Sequence, residues 1–97
     1  MSTALETIFM PYLELMTTDG CHLCDEAVAV LLAVLKPGDA EVDLVDIAFD
    51  EVLMDTYATR IPVVREPRSG RELNWPFDEG QFSVFLAAIC ATGDQSA

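Results

Sequence analysis

The sequence predicts an α/β domain: a four-stranded mixed sheet with helices on both faces, in the order β-α-β-α-β-β-α. Three observations predict it. Acidic and apolar residues alternate in Glu41-Val42-Asp43-Leu44-Val45-Asp46-Ile47, the mark of a half-buried strand. The apolar run Ala27 to Leu35 is stopped by Lys36-Pro37-Gly38, the way a helix ends. Two short strand-like stretches flank a turn between Pro67 and Gly70, which makes them a hairpin.

Taken in order, Tyr12 to Thr17 has apolar residues broken by Glu14 and reads as the first strand. Cys21 to Leu35 is the first helix, with Asp25 and Glu26 in its opening turn. Glu41 to Ile47 is the second strand, with Val42, Leu44 and Ile47 facing inward. Asp50 to Tyr57 fits a short helix with Val52, Leu53 and Tyr57 on one side. Arg60 to Arg65 is a strand entered through a proline, and Glu72 to Trp75 returns beside it. Asp78 is a good N-cap, with Gln81 at capping-box spacing. The helix after it places Phe82, Phe85, Leu86 and Ile89 at steps of three and four, a buried face. The first two strands are joined through a helix, so they run parallel with a right-handed crossover. The body of the domain spans residues 10–92, with 1–9 and 93–97 as flexible ends.

The chain has 97 residues, enough for one domain and one modest core. Its 52% apolar content argues against disorder. The longest apolar run is far shorter than the roughly 20 residues that span a bilayer. The N-terminus has no basic residue and carries Glu6, unlike a secretory signal, so a reducing cytoplasm is the expected compartment. The formal net charge is −12, and four of the five basic residues lie between Arg60 and Arg71. Phosphate binding needs clustered Lys and Arg, so neither nucleic acid nor anionic membrane is expected as a partner. A monomer is expected.

Two of the three cysteines sit together in Cys21-His22-Leu23-Cys24. Gly20 permits a tight turn just before them. Cys21 falls at the start of the helix and Cys24 one turn in. Their Cα atoms are then about 5 Å apart, within the window of a disulfide. A helix N-terminus offers free N–H groups and partial positive charge, which lower the pKa of a thiol placed there. Asp19, Asp25 and Glu26 oppose this. The expected roles are Cys21 as attacking thiolate and Cys24 as resolving thiol. In a reducing compartment a close cysteine pair is catalytic or metal-binding more often than structural. The bland alternative, two cysteines packed as small hydrophobes, fits poorly with an exposed helix start. A zinc site within one chain lacks ligands, so no metal is expected there; a cluster shared by two subunits stays open. His22 reads as a solvated loop residue and Cys90 as core filler.

These residues resemble a known family. Cys-X-X-Cys at the start of the first helix, Arg60-Ile61-Pro62-Val63-Val64 about forty residues later, and the element order together look like the thioredoxin superfamily. The small size, Asp19-Gly20-Cys21-His22-Leu23-Cys24-Asp25 and Trp75-Pro76-Phe77-Asp78 are similar to a glutaredoxin-like branch of it. The resemblance implies a thioredoxin-like fold and a thiol-disulfide oxidoreductase working through Cys21 and Cys24. It implies a cis peptide bond at Pro62, beside the cysteines, with the Ile61 backbone pairing with an extended substrate. Gly20, His22, Leu23, Asp78 and Glu79 complete the substrate-binding set. A thiol or disulfide substrate is implied, protein or glutathione. No cofactor is bound, and glutathione is a possible co-substrate. This chain departs from glutaredoxins in having no Lys before Cys21 and no Gly-Gly before the last helix. Arg60 and Arg65 are the cations that could replace that Lys. The alternatives are a dithiol reductant that needs no glutathione, and a redox-inactive or cluster-carrying binding module on the same fold.

Overall fold

The computed structural model describes residues 10–96, with side chains through residue 91. The elements are β1 (Tyr12–Thr17), α1 (His22–Val34), β2 (Glu41–Asp46), a 3₁₀ turn (Ile47–Phe49), α2 (Glu51–Tyr57), β3 (Val63–Glu66), β4 (Arg71–Asn74) and α3 (Glu79–Ser96). The sheet order is β2-β1-β3-β4. β1 runs parallel to β2, and the pairs β1–β3 and β3–β4 are antiparallel. The fold is thus the four-stranded mixed α/β sheet that the sequence predicts.

Side chains alternate along each strand, so the sheet has two distinct faces. Leu13, Leu15 and Val64 point to one face, where α1 supplies Ala27 and Leu31 and α3 supplies Phe82 and Ile89. Met16 and Val63 point to the other, against Ile47 and Tyr57. Complete burial of a side chain such as Phe82 or Leu15 contributes about 1.5–3 kcal/mol. Aspartates cap two of the helices: Asp78 is the expected N-cap, while Asp50, expected inside its helix, stands just before it. The Asp50 carboxylate accepts the N–H groups of Val52 and Leu53 to open α2. At α3, Gln81 N–H donates to Asp78 Oδ1 at 2.7 Å and Asp78 N–H donates to Gln81 Oε1 at 2.9 Å, a complete capping box.

Several details differ from the sequence expectations. Leu44, expected to face inward, is 62% exposed. It is on the α1 side of the sheet, but β2 is an edge strand, and a groove beside α1 leaves Leu44 open to solvent. Ile47 is buried, yet it belongs to the 3₁₀ turn, which the Asp46 carboxylate caps through Ala48 N–H. β3 starts at Val63 rather than Arg60. The N–H groups of Arg60 and Ile61 both donate to the Tyr57 carbonyl, so the chain is still unwinding from α2 there. In α2 only Tyr57 is buried; Leu53 is half-buried and Val52 faces solvent, because adjacent helix positions point about 100° apart. Phe85 and Leu86 are half-buried, since α3 covers a sheet edge. α3 passes residue 92 and continues to Ser96. One Gly within a helix costs about 1 kcal/mol, so Gly93 does not end it. The expectation of a flexible stretch at residues 1–9 lies outside the described residues.

Candidate functional site

The cysteine pair stands where β1 hands over to α1. Gly20 makes the turn with φ of +78°, and a Cβ there would meet nothing within 4 Å, so the requirement is backbone conformation and not space. Cys21 is the N-cap of α1: its N–H donates to the Thr18 carbonyl and its Sγ accepts the N–H of Cys24 at 3.2 Å. A sulfur at an N-cap sits where free helix N–H groups gather, and these favour a thiolate. Cys21 and Cys24 are joined as a disulfide, with Cα atoms 5.2 Å apart. Cys21 is half-buried, whereas Cys24 is 2% exposed. Cys21 is therefore the more accessible residue of the pair and Cys24 the enclosed one.

Several further residues line the hollow beside Cys21: Thr17, Asp19, Asp25, Leu44 and Asp46. Sequence reasoning missed Leu44 and Asp46 as neighbours of the pair. The parallel register of β1 and β2, with Thr17 opposite Asp46, brings them there. The Thr18 hydroxyl donates to Asp46 Oδ1 at 3.0 Å, which ties the loop before Cys21 to the end of β2.

The Ile61–Pro62 bond is cis, and so is Trp75–Pro76, which nothing in the sequence reading anticipated. Pro62 is buried. Val63 pairs with Met16, so the same antiparallel ladder carries Pro62 to the level of Thr17, at the end of the sheet that bears the cysteines. The Pro62 carbonyl accepts the Trp75 N–H at 3.2 Å. Ile61 is half-buried, and its N–H is held by the Tyr57 carbonyl at 3.1 Å, which leaves its carbonyl for any strand-like pairing.

The remaining expected site residues lie in two places. His22 and Leu23 are exposed on the first turn of α1, and His22 Nε2 lies 3.6 Å from Glu26. Asp78 and Glu79 open α3, where Asp78 is held by its capping bonds and Glu79 is exposed. Arg60 and Arg65 do not stand free as substitutes for the missing Lys. Arg60 contacts the Glu72 carboxylate, hydrogen-bonds Asn74 at 2.9 Å and lies over the Tyr57 ring. Arg65 lies 3.8 Å from Glu14. Cross-strand register sets Arg65 opposite Glu14 and Glu72, whereas Arg60 reaches Glu72 from the segment before β3.

Among the described residues, no three His, Cys, Asp or Glu side chains gather as a metal site. No helix among them is long and apolar enough to cross a membrane.

Residues 12–87 match the family model of the glutaredoxin-like domain (DUF836). The X-ray structure of XcR50 from X. campestris is 41% identical, with a TM-score of 0.69 over 78% of this chain and 96% of that one. The solution structure of Ne2328 from Nitrosomonas europaea is 26% identical, with a TM-score of 0.68 over 80% of this chain and 93% of that one. No curated protein matches the sequence. With its Cys21–Cys24 pair on a thioredoxin-like sheet, the chain belongs to the glutaredoxin-like domain family.

Proposed function

We propose that the protein is a thiol-disulfide oxidoreductase in which Cys21 attacks and Cys24 resolves. The observation that supports this best is the asymmetry of the pair: Cys21 reaches solvent at a helix N-cap, and Cys24 is enclosed one turn away. The Cys21 thiolate attacks one sulfur of a substrate disulfide, and the other sulfur leaves as a thiolate that takes up a proton. Cys24 loses its proton and attacks Cys21 Sγ, which releases the second substrate thiol and closes the protein disulfide. The substrate gains two electrons and the protein loses two. A thiol donor, either glutathione or a dithiol protein, then restores the couple. A reducing cytoplasm, as expected from the sequence, suits that cycle. The protein is proposed to work as a monomer, with no resident cofactor.

The pairing of Arg60 with Glu72 and of Arg65 with Glu14 favours a second reading within this activity, a reductant of protein disulfides that does not depend on glutathione. Arg60 is engaged by Glu72 and Asn74, and Arg65 already has Glu14 at 3.8 Å, so both cations have acidic neighbours within the fold. The test is reduction of hydroxyethyl disulfide, a small uncharged substrate, with glutathione and separately with dithiothreitol as donor. Turnover with either donor that disappears in Cys21→Ser supports the oxidoreductase. Turnover no faster than in Cys21→Ser, with both donors, rejects it.

A further inference from the structure

The outer edge of β2 presents two faces of opposite chemistry. Among the described residues β2 is hydrogen-bonded to β1 alone, with no neighbouring strand on its other side. Register puts Val42 and Leu44 on the face of Leu13 and Leu15, under α1. There Leu44 is 62% exposed and Leu32 of α1 is 72% exposed, on either side of a groove lined by Val28, Leu31 and Leu35. Glu41 and Asp43 belong to the opposite face, with Tyr12 and Glu14 beside them. Asp43 accepts the Tyr12 hydroxyl at 2.8 Å, and Arg65 reaches Glu14 at 3.8 Å, so one cation faces three carboxylates. The strand ends at Asp46, and Leu44 and Asp46 both line the hollow beside Cys21.

We propose that the β2 edge is the docking strand for a protein substrate of the Cys21–Cys24 couple, one that offers an extended segment of alternating basic and apolar residues. That the partner is a substrate rests on the oxidoreductase reading above; the docking itself does not. An added strand takes its backbone hydrogen bonds from the open edge and its selectivity from alternate side chains. Its apolar residues would lie beside Val42 and Leu44 and against Leu32. Its basic residues would lie beside Glu41 and Asp43, where opposite charges on neighbouring strands are favourable. Continuing past Asp46, the segment arrives at Cys21. A second copy of this chain fits badly. Pairing β2 with β2 sets acids against acids, which destabilises the pair, and a net charge of −12 on each copy adds repulsion. The groove at the opposite edge, between β4 and α3, holds Arg71, Leu73, Val84 and Phe85 and does not adjoin the cysteines. It serves as an internal control.

The probe is a short blocked peptide of alternating lysine and leucine, with serine in place of the reacting cysteine, added to isotope-labelled oxidised protein. Amide signals of β2 and of the second half of α1 should shift, and those of β4 and α3 should not. The glutamate-leucine counterpart should bind at least about tenfold more weakly, and the lysine peptide should weaken with added salt. Leu32→Asp with Leu44→Asp should weaken the lysine peptide about tenfold. Both side chains are exposed, so the melting temperature serves as the folding control. Absence of shifts in β2, shifts confined to β4 and α3, or equal binding of the two peptides would overturn the proposal. So would self-association by sedimentation that Leu44→Asp abolishes, since the edge would then belong to a second copy. Oxidised protein binds without turnover, so failure here leaves the oxidoreductase reading standing. Failure to reduce hydroxyethyl disulfide, in turn, leaves the docking strand standing.

Discussion

Tyr57, at the end of α2, donates its hydroxyl to the carboxylate of Glu72 in β4. Arg60 meets the same carboxylate from the segment just before Pro62. One acid thus holds the end of a helix, an edge strand and the chain that leads into the proline.

This cluster predicts a pH-dependent stability with two limits. The hydrogen bond from Tyr57, aided by Arg60, holds the Glu72 carboxyl below its usual range despite partial burial. Its contribution is full above the unfolded value of about 4.3 and is lost as pH falls through the lower folded value. Burial, then the bond to Glu72, pushes the Tyr57 phenol up. That contribution is full below about 10 and is lost as pH rises through the higher folded value. Urea unfolding across pH should show both losses. Tyr57→Phe should reduce the alkaline loss, flatten the acidic one and cost about 1.5 kcal/mol at neutral pH.

The two cysteines should behave differently when separated. Cys24→Ser should accumulate a mixed disulfide with a substrate thiol, because the attacking sulfur remains and its resolver is gone. Cys21→Ser should accumulate none, since Cys24 is enclosed. Mass spectrometry of both variants after exposure to a disulfide substrate checks this. Equal trapping by the two would reverse the assignment of roles.

Thiol acidity is the third expectation. The alkylation rate of Cys21 against pH should give an apparent pKa below the free value of about 8.5, because Cys21 occupies the N-cap of α1. Asp25→Asn together with Glu26→Gln should lower it further, since both carboxylates disfavour the thiolate. A value at or above that of a free thiol would mean that the acids outweigh the helix terminus.

Asp78 offers a test of the last helix. Asp78→Ala removes the acceptor for Gln81 N–H and should destabilise the protein by about 1 kcal/mol, measured by thermal or urea unfolding. Asp78→Asn keeps an acceptor oxygen and should retain most of the stability. Equal losses in the two variants would show that the cap is not what matters at this position.

Much of this architecture was legible because local chemistry decides it. Tyr12–Thr17 forms the strand that its pattern announces, and Asp78 caps the helix that follows it. The Cys21–Cys24 pair was legible because its spacing and the turn at Gly20 are both local. What was not legible depends on neighbours distant in sequence. Leu44 has the pattern of a core residue, and only its place on an edge strand exposes it. Arg65 faces Glu14 through a strand register that no short motif encodes, and Arg60 meets Glu72 from just past the end of α2, across to β4. Glu66 is 1% exposed yet satisfied, because the hairpin turn brings Ser69 and Arg68 back to it. No pattern marked that acid as interior.

The strand from which the cysteine loop hangs is paired on both sides, to β2 and to β3. An amide there can exchange with solvent only when ladders or packing open around it, so β1 belongs to the slowest-opening part of the molecule. Leu13, Leu15 and Met16, all buried, reinforce this from both faces of the sheet. The thiol proposed to form and break bonds is thus mounted at the end of the segment least free to fluctuate. Under the proposed cycle, the change in bonding at Cys21 falls on the loop and the first turn of α1, while the platform beneath them keeps its shape.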